Sequence, residues 1–269
     1  MTEFEATCVH PYRRDTTLVF LLEENRILYV IWFEDALHYY GVPTVVFGLY
    51  LLVFDLNIAA ECLSTGGWVV DAQSVPRIGN AEVVNPRVLQ LQSPNSKTRL
   101  VLLQASNWKS SLTADSVLER PSLERVLRGD GVKPGPSDQQ LSFPQLPDLL
   151  DSLIDSWLAE PSIENPGLSL HLAVQFSYLY EHVPALSERS FAERLRYEHR
   201  QFHYDVVAGM DAGTIPFREH QRTIRDALLR GEYELRDCSA PDNKDLFDPW
   251  HRLRELSPEA TPDVEEEGT

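Results

Sequence analysis

Two histidines at helical spacing are the clearest candidates for metal ligands in this sequence. His199 and His203 lie four residues apart in RYEHRQFHYDVV, so a helix would place both imidazoles on one face, a spacing that can ligate a metal. Glu198 precedes His199, so the segment does not form the HExxH motif. The alternative is that the two rings pack in a polar groove between helices. A third ligand would have to come from another helix, and the candidates are His171, His182 and His220.

Three acidic residues next to apolar segments are candidates for catalytic carboxylates. Glu34 and Asp35 follow an apolar run at residues 27–32, and Asp55 follows a second run at residues 42–53. Carboxylates that converge can hold Mg²⁺. The structural alternative, which we favour, is that Glu34 and Asp35 complement the dipole of a helix that begins there and that Asp55 caps the next helix.

The first half of the sequence alternates apolar strands with helices. Residues 27–32 are large and β-branched, as in a buried strand, and residues 34–40 predict one or two helical turns. The run at residues 42–53 predicts a second strand that bends at Gly48, and residues 57–64 have helical spacing. Further elements are a short helix at residues 15–25 and strands at residues 68–75, 87–92 and 99–103.

The second half of the sequence is predicted to be helical. Residues 129–147 are rich in Pro, Gly, Ser and Gln, which predicts a linker after an α/β domain at residues 1–128. Residues 148–256 carry amphipathic stripes, beginning with LPDLLDSLIDSWLAE, and predict a helical domain of about four helices. The acidic, proline-containing tail at residues 257–269 is expected to be disordered.

The charge and the cysteines limit the classes of function. The formal net charge is -17, and such a surface repels phosphate backbones, so nucleic acid is not an expected partner. The three cysteines lie far apart and form no CxxC pair, which indicates neither a disulfide framework nor a zinc site. The N-terminal segment lacks the apolar core of a secretory signal, and a Gly-Val-Pro turn divides the long apolar stretch at residues 36–54. We therefore expect a cytoplasmic protein without a membrane partner.

The order of strand, short helix, strand and helix resembles the nucleotidyltransferases of the DNA polymerase β superfamily. Their signature runs from a strand into Gly-Gly-x-Ala-Leu and then to a strand with Asp-x-Asp-Leu-Leu-Val. The segment VIWFEDALHYYGVPTVVFGLYLLVFDL matches it at Ala36 and Leu37, at the turn residue Gly41, and at residues 51–53. The helix NIAAECLSTGGW continues the match, and the resemblance covers residues 27 to about 103.

The resemblance fails at the residues that bind metal in this family. The enzymes use two aspartates one residue apart on a strand, so that both side chains hold Mg²⁺ on one face. Gly48 and Tyr50 stand at those positions here, and apolar residues around Leu100 and Leu102 stand where a third carboxylate is expected. The glycine pair that lets the backbone approach the nucleotide is replaced by Phe33 and Glu34.

The resemblance implies an α/β (α+β) fold, with a nucleotidyltransferase-type mixed sheet flanked by helices and followed by a C-terminal helical domain. It also implies a degenerate member that lacks the metal-binding pair and serves as a non-catalytic binding or accessory protein, with no cofactor and an unknown ligand or protein partner. One alternative is an active nucleotidyltransferase with relocated carboxylates that acts on a small molecule or protein, and this alternative requires Mg²⁺ and an NTP. The other is an unrelated α+β interaction protein.

Overall fold

A five-stranded mixed sheet organises the first half of the chain in a computed structural model of the protein. The structure describes residues 17–46, 48–83, 88–94, 98–110, 141–159 and 165–241. The predicted disordered tail and the linker residues 129–140 lie outside the described residues. Mixed α/β architecture is therefore confirmed for the described part of the chain.

The elements of the first half follow the apolar segments of the sequence. Helix α1 (Thr17–Glu24) precedes strand β1 (Tyr29–Trp32), and helix α2 (Glu34–Tyr39) precedes strand β2 (Leu49–Val53). The following elements are helix α3 (Leu56–Thr65), strands β3 (Val69–Val70), β4 (Arg77–Ile78), β5 (Ala81–Glu82), β6 (Val88–Gln92) and β7 (Arg99–Gln104), and a 3-10 turn (Ala105–Trp108).

The strand order of the large sheet is β1-β2-β7-β6-β3, and β4 and β5 form a separate hairpin. Strand β1 pairs antiparallel with β2, with Trp32 opposite Tyr50. Strand β2 pairs parallel with β7, with Leu49 opposite Leu100. The end of β1 and the starts of β2 and β7 therefore lie at one end of the sheet. All five residues of β2 are buried, which explains its unbroken apolar sequence.

Two predicted strands are shorter in the structure than in the sequence interpretation. Strand β2 begins at Leu49 rather than at residue 42, since Pro43 has no backbone donor for a strand ladder and Gly41 has a φ of 89°. Strand β3 ends at Val70 because the Asp71 carboxylate accepts hydrogen bonds from the Ser74 and Gln73 amides and turns the chain.

The predicted linker ends earlier than residue 147. The Ile31 amide of β1 donates to the Ser142 carbonyl at 2.8 Å, so this segment covers the outer edge of β1. Phe143 is buried and stacks on Tyr39 with ring centroids 4.4 Å apart. Residues 141–147 are therefore packed against the sheet, and the next helix begins at Leu146.

The second half contains four described α-helices. They are α4 (Leu146–Ala159), α5 (Pro166–His182), α6 (Arg200–Val207) and α7 (Ile215–Leu229), with 3-10 turns at Pro184–Ser187, Arg189–Arg194 and Tyr197–His199. Helix α5 packs on α2 and β5, and α4 packs on the turn at residues 105–108. One connected set of buried apolar residues runs through both halves. Among the described helices, none has the length and apolar character needed to cross a membrane.

The segment before α6 is not a continuous helix, although the sequence of residues 148–256 predicts a helical domain. Leu195 and Arg196 are extended between the 3-10 turns. The Asp151 carboxylate of α4 accepts a 3.0 Å hydrogen bond from the Arg196 amide and lies 2.6 Å from Nδ1 of His199. A buried acceptor on a distant helix therefore competes with the local helical hydrogen bonds and interrupts the helix.

Candidate functional site

The end of the sheet where β1 stops and β2 begins contains the positions that the resemblance assigns to an active site. Because Trp32 is opposite Tyr50, the turn at Phe33 and Glu34 lies beside the start of β2. The parallel pairing of β2 with β7 brings Arg99 next to Gly48. This register places Phe33, Gly48 and Tyr50 at the same end of the sheet.

Phe33 fills the centre of this end of the sheet. Its side chain is fully buried, and its ring meets the rings of Tyr50, Trp108 and His171 edge to face at centroid distances of 5.2, 5.2 and 5.1 Å. The backbone of Phe33 has φ 53° and ψ −129°, a conformation that costs a residue other than glycine about 1–3 kcal/mol. Burial of the phenyl ring, worth roughly 1.5–3 kcal/mol, offsets that cost.

Tyr50 is a buried, uncharged group that ties β2 to the β4–β5 hairpin. Its hydroxyl accepts a 2.8 Å hydrogen bond from the Gly79 amide. Burial, followed by the nearby negative charge of Glu34, raises the pKa of Tyr50 to about 12, and Arg99 opposes the rise. The phenol therefore stays protonated near neutral pH and cannot replace a metal-binding aspartate.

Gly48 stands against a cation rather than a carboxylate. A Cβ atom placed on Gly48 would lie 3.4 Å from Nη2 of Arg99 and 3.5 Å from its Nε. A side chain at residue 48 would therefore contact the guanidinium group. The two positions that the resemblance assigns to the metal-binding pair therefore hold a glycine beside the Arg99 guanidinium and a buried phenol.

Glu34 and His171 form a buried polar contact between α2 and α5. Oε1 of Glu34 lies 3.6 Å from Nε2 of His171, and the two side chains are 1% and 11% exposed. Burial lowers the pKa of His171 to about 4, so the imidazole is neutral near pH 7 and the contact is not an ion pair there. Nε2 of Gln175 lies 3.4 Å from the same imidazole nitrogen.

Asp55 does not complete a carboxylate site with Glu34. Oδ1 of Asp55 accepts from the Asn57 and Ile58 amides at 2.8 and 3.1 Å, which confirms that Asp55 caps α3. Asp55 follows the end of β2, whereas Glu34 lies beside its start. Four strand steps separate these ends by roughly 14 Å, too far for shared metal ligation. Asp35 lies in the first turn of α2, as predicted.

The histidine pair His199 and His203 occupies two separate hydrogen-bonding environments. His199 contacts Asp151 through Nδ1, whereas Nδ1 of His203 lies 3.0 Å from the Tyr180 hydroxyl and its Nε2 lies 3.0 Å from the Glu188 carbonyl. Both rings are buried, and burial lowers the pKa of His203. Protein atoms therefore already bond both nitrogens of His203.

The suggested third ligands lie elsewhere. His171 contacts Glu34, His182 lies beside Glu181, and His220 bonds Ser239. Within the described ranges, no three His, Cys, Asp or Glu side chains are grouped closely enough to hold a metal ion. His199 and His203 thus each bond to other protein groups.

Sequence reasoning missed three contributors to the end of the sheet. His171 was considered only as a third metal ligand, and Arg99 and Gly79 were not singled out. The Gly-Asn pair at residues 79–80 was a usable signal, because such a pair between short strands predicts a tight hairpin. No local signal links His171 to Glu34, because α5 lies far along the chain from α2.

No family model matches the sequence, and no curated protein is significantly similar to it. The nucleotidyltransferase resemblance therefore rests on the quoted residues alone. The fold and the site define a mixed α/β protein in which aromatic and polar side chains close one end of the sheet.

Proposed function

We propose that this protein is a degenerate relative of the nucleotidyltransferases that serves as a non-catalytic binding or accessory protein. The observation that carries the proposal is the buried contact between Phe33 and Tyr50. These residues stand where the resemblance implies a glycine and an aspartate, and their ring centroids are 5.2 Å apart. Packed side chains thus take the place of the residues that would approach a nucleotide and its metal ions.

The backbone at Phe33 supports the alignment behind this proposal. A φ of 53° with ψ −129° is a conformation that glycine adopts readily and other residues rarely do. The resemblance implies a glycine pair at Phe33 and Glu34. A glycine-like backbone that persists under a phenylalanine side chain is the expected result if the turn was inherited and its glycine was later replaced.

The arrangement of the strands gives independent support. The resemblance predicts a mixed sheet in which the strand near Ile27 and the strand near Val45 are neighbours. Strands β1 and β2 are paired directly, and β7 adds a parallel neighbour to β2. We therefore favour this proposal over an unrelated α+β interaction protein.

An active enzyme with relocated carboxylates is the alternative that Glu34 keeps open. Glu34 lies beside the neutral imidazole of His171, and a buried carboxylate next to a histidine is an arrangement found in catalytic sites. Its side chain is only 1% exposed, which leaves little access for a substrate. The position of Asp55 at the opposite end of β2 removes it from this alternative.

The test measures nucleotide binding and transfer in the full chain. We expect ATP, GTP, CTP and UTP to give no Mg²⁺-dependent rise in melting temperature and no Mg²⁺-dependent release of pyrophosphate. The physical reason is that a triphosphate without a carboxylate-bound metal lacks its main electrostatic partner.

Three variants make the result specific. Pyrophosphate release that depends on Mg²⁺ and is lost in Glu34→Gln or Asp35→Asn would overturn the non-catalytic proposal and favour the relocated site. Asp55→Asn is the matched control, because it also removes one carboxylate but at the other end of β2. Activity lost equally in all three variants would indicate damage to the fold rather than to a site.

A further inference from the structure

An extended segment after α7 is held by side chains rather than by a helix or a sheet. Residues 232–241 cross α6 and α7, and Gln201 of α6 binds the backbone of Arg236 on both sides. Oε1 of Gln201 accepts from the Arg236 amide at 2.8 Å, and its Nε2 donates to the Arg236 carbonyl at 3.1 Å. The Gln201 side-chain amide thus pairs with both backbone groups of Arg236, as a residue of a neighbouring antiparallel β-strand would.

Asp205, one turn further along α6, binds Ser239 through two atoms. Its Oδ1 accepts from the Ser239 amide at 2.7 Å, and its Oδ2 accepts from the Ser239 hydroxyl at 2.6 Å. The carboxylate is fully buried and also accepts from the side-chain amides of Gln201 and Gln221, at 2.9 and 2.5 Å. The Ser239 hydroxyl donates its proton to Asp205. It therefore accepts in its 2.8 Å contact with Nε2 of His220, and this imidazole nitrogen is the donor.

Arg189 contacts the residue between these two positions. Its Nη2 lies 2.5 Å from Oδ1 of Asp237, and its guanidinium stacks over the Tyr204 ring at 4.1 Å from the ring centroid. The Arg189 and Asp237 side chains are 47% and 95% exposed, so this pair lies at the rim. Cys238 faces inward, with Sγ 3.7 Å from Sδ of Met210.

The buried side chains that hold residues 236–239 are selective for what they bind. Gln201, Asp205 and Gln221 are buried polar side chains, which are costly unless their hydrogen bonds are complete. Asp205 accepts from a backbone amide and a hydroxyl at one position, and at the rim Arg189 pairs with an acidic residue two positions before it. An apolar surface would hold a segment without such requirements, so these groups specify a sequence pattern.

We propose that the groove formed by Arg189, Gln201, Asp205 and His220 is a recognition site for extended peptides of partner proteins that carry an acidic residue followed two positions later by serine. Residues 236–239 occupy the groove as an intramolecular ligand, and a partner with the same pattern displaces them. The site uses residues of α6, of α7 and of the 3-10 turn at Arg189–Arg194, and it involves neither nucleotide nor magnesium.

The experiment uses a fluorescent peptide with the sequence of residues 233–241 and the full chain, under reducing conditions. In the wild-type protein, its own segment competes at an effective concentration in the millimolar range, so peptide binding is weak. The variant Asp237→Ala/Ser239→Ala weakens the internal ligand. We expect the apparent affinity for the peptide to rise by about ten-fold or more in this variant, measured by fluorescence anisotropy.

Two controls test the predicted pattern. A peptide with alanine at both corresponding positions should bind neither protein, and Gln201→Ala added to the double variant should abolish binding of the original peptide. The proposal is overturned if the double variant folds cooperatively but does not bind the peptide, or if it binds both peptides with equal affinity. If the double variant does not fold, the exposed substitution Asp237→Ala alone is used. A single variant that binds no better than wild type would then refute the proposal.

Discussion

The Tyr50 hydroxyl accepts a 2.8 Å hydrogen bond from the Gly79 amide, and this bond joins the central strand β2 to the turn of the β4–β5 hairpin. Both residues are buried. The hairpin therefore closes the same end of the sheet that Phe33 fills.

Removal of the Tyr50 hydroxyl should destabilise the protein. In Tyr50→Phe the buried Gly79 amide loses its acceptor, and an unsatisfied buried donor costs about 1–3 kcal/mol. Urea unfolding followed by tryptophan fluorescence measures the loss. Tyr178→Phe is the control, since Tyr178 is 38% exposed and its substitution should change the free energy of unfolding little. Equal effects in the two variants would show that the bond to Gly79 adds no stability.

Substitution of Gly79 should be more harmful than substitution of a glycine with similar backbone in open space. A Cβ on Gly79 would lie 2.7 Å from Nδ1 of His171, and its φ is 55°. Gly231 has φ 71° with no atom within 4 Å of its Cβ position. Both alanine variants carry the backbone penalty, and only Gly79→Ala adds the clash. We expect Gly79→Ala to be less stable than Gly231→Ala by about 1–3 kcal/mol in the same unfolding assay. Equal losses would show that His171 moves aside freely.

His171 should make the protein less stable as the pH falls. Its pKa is about 4 in the folded protein and about 6.5 in the unfolded chain, so the unfolded chain binds more protons between these values. Stability is therefore fully present above about pH 6.5 and declines toward pH 4, by about 3 kcal/mol in total. His171→Gln should flatten the stability profile in this range. An NMR titration of the His171 ring with a midpoint near 6.5 would contradict the expectation.

Asp55 should contribute to stability as a helix cap. In Asp55→Ala the Asn57 and Ile58 amides lose their acceptor, and the expected cost is about 0.5–2 kcal/mol. Asp55→Asn keeps an oxygen that can accept the same bonds and should retain most of the stability. Thermal unfolding of the two variants tests this. If asparagine is as harmful as alanine, the negative charge rather than the hydrogen bonding is important.

Local patterns predicted the elements that depend on neighbouring residues. The apolar runs identified β1, β2 and β7, because strands whose successive residues are buried on both faces of the sheet need continuous apolar side chains. The cap at Asp55 was predictable because its acceptor and the helix amides lie within three residues of each other.

Contacts between distant segments were beyond the reach of such patterns. The segment before α6 has helical spacing, but the Asp151 carboxylate on α4 accepts a hydrogen bond from the Arg196 amide and interrupts the helix there. Nothing in the sequence near Arg196 indicates this bond. The contact of Glu34 with His171 likewise depends on how α5 packs on α2.

By itself, the sequence determined the alternation of strands and helices, the absence of an Asp-x-Asp pair and the acidic charge, because these depend only on residue types and short spacings. The tertiary structure decided that Phe33, Tyr50, Gly79 and His171 meet at one end of the sheet, and that Asp205 faces Ser239. The physical reason is that packing, not spacing along the chain, selects which buried polar groups find partners.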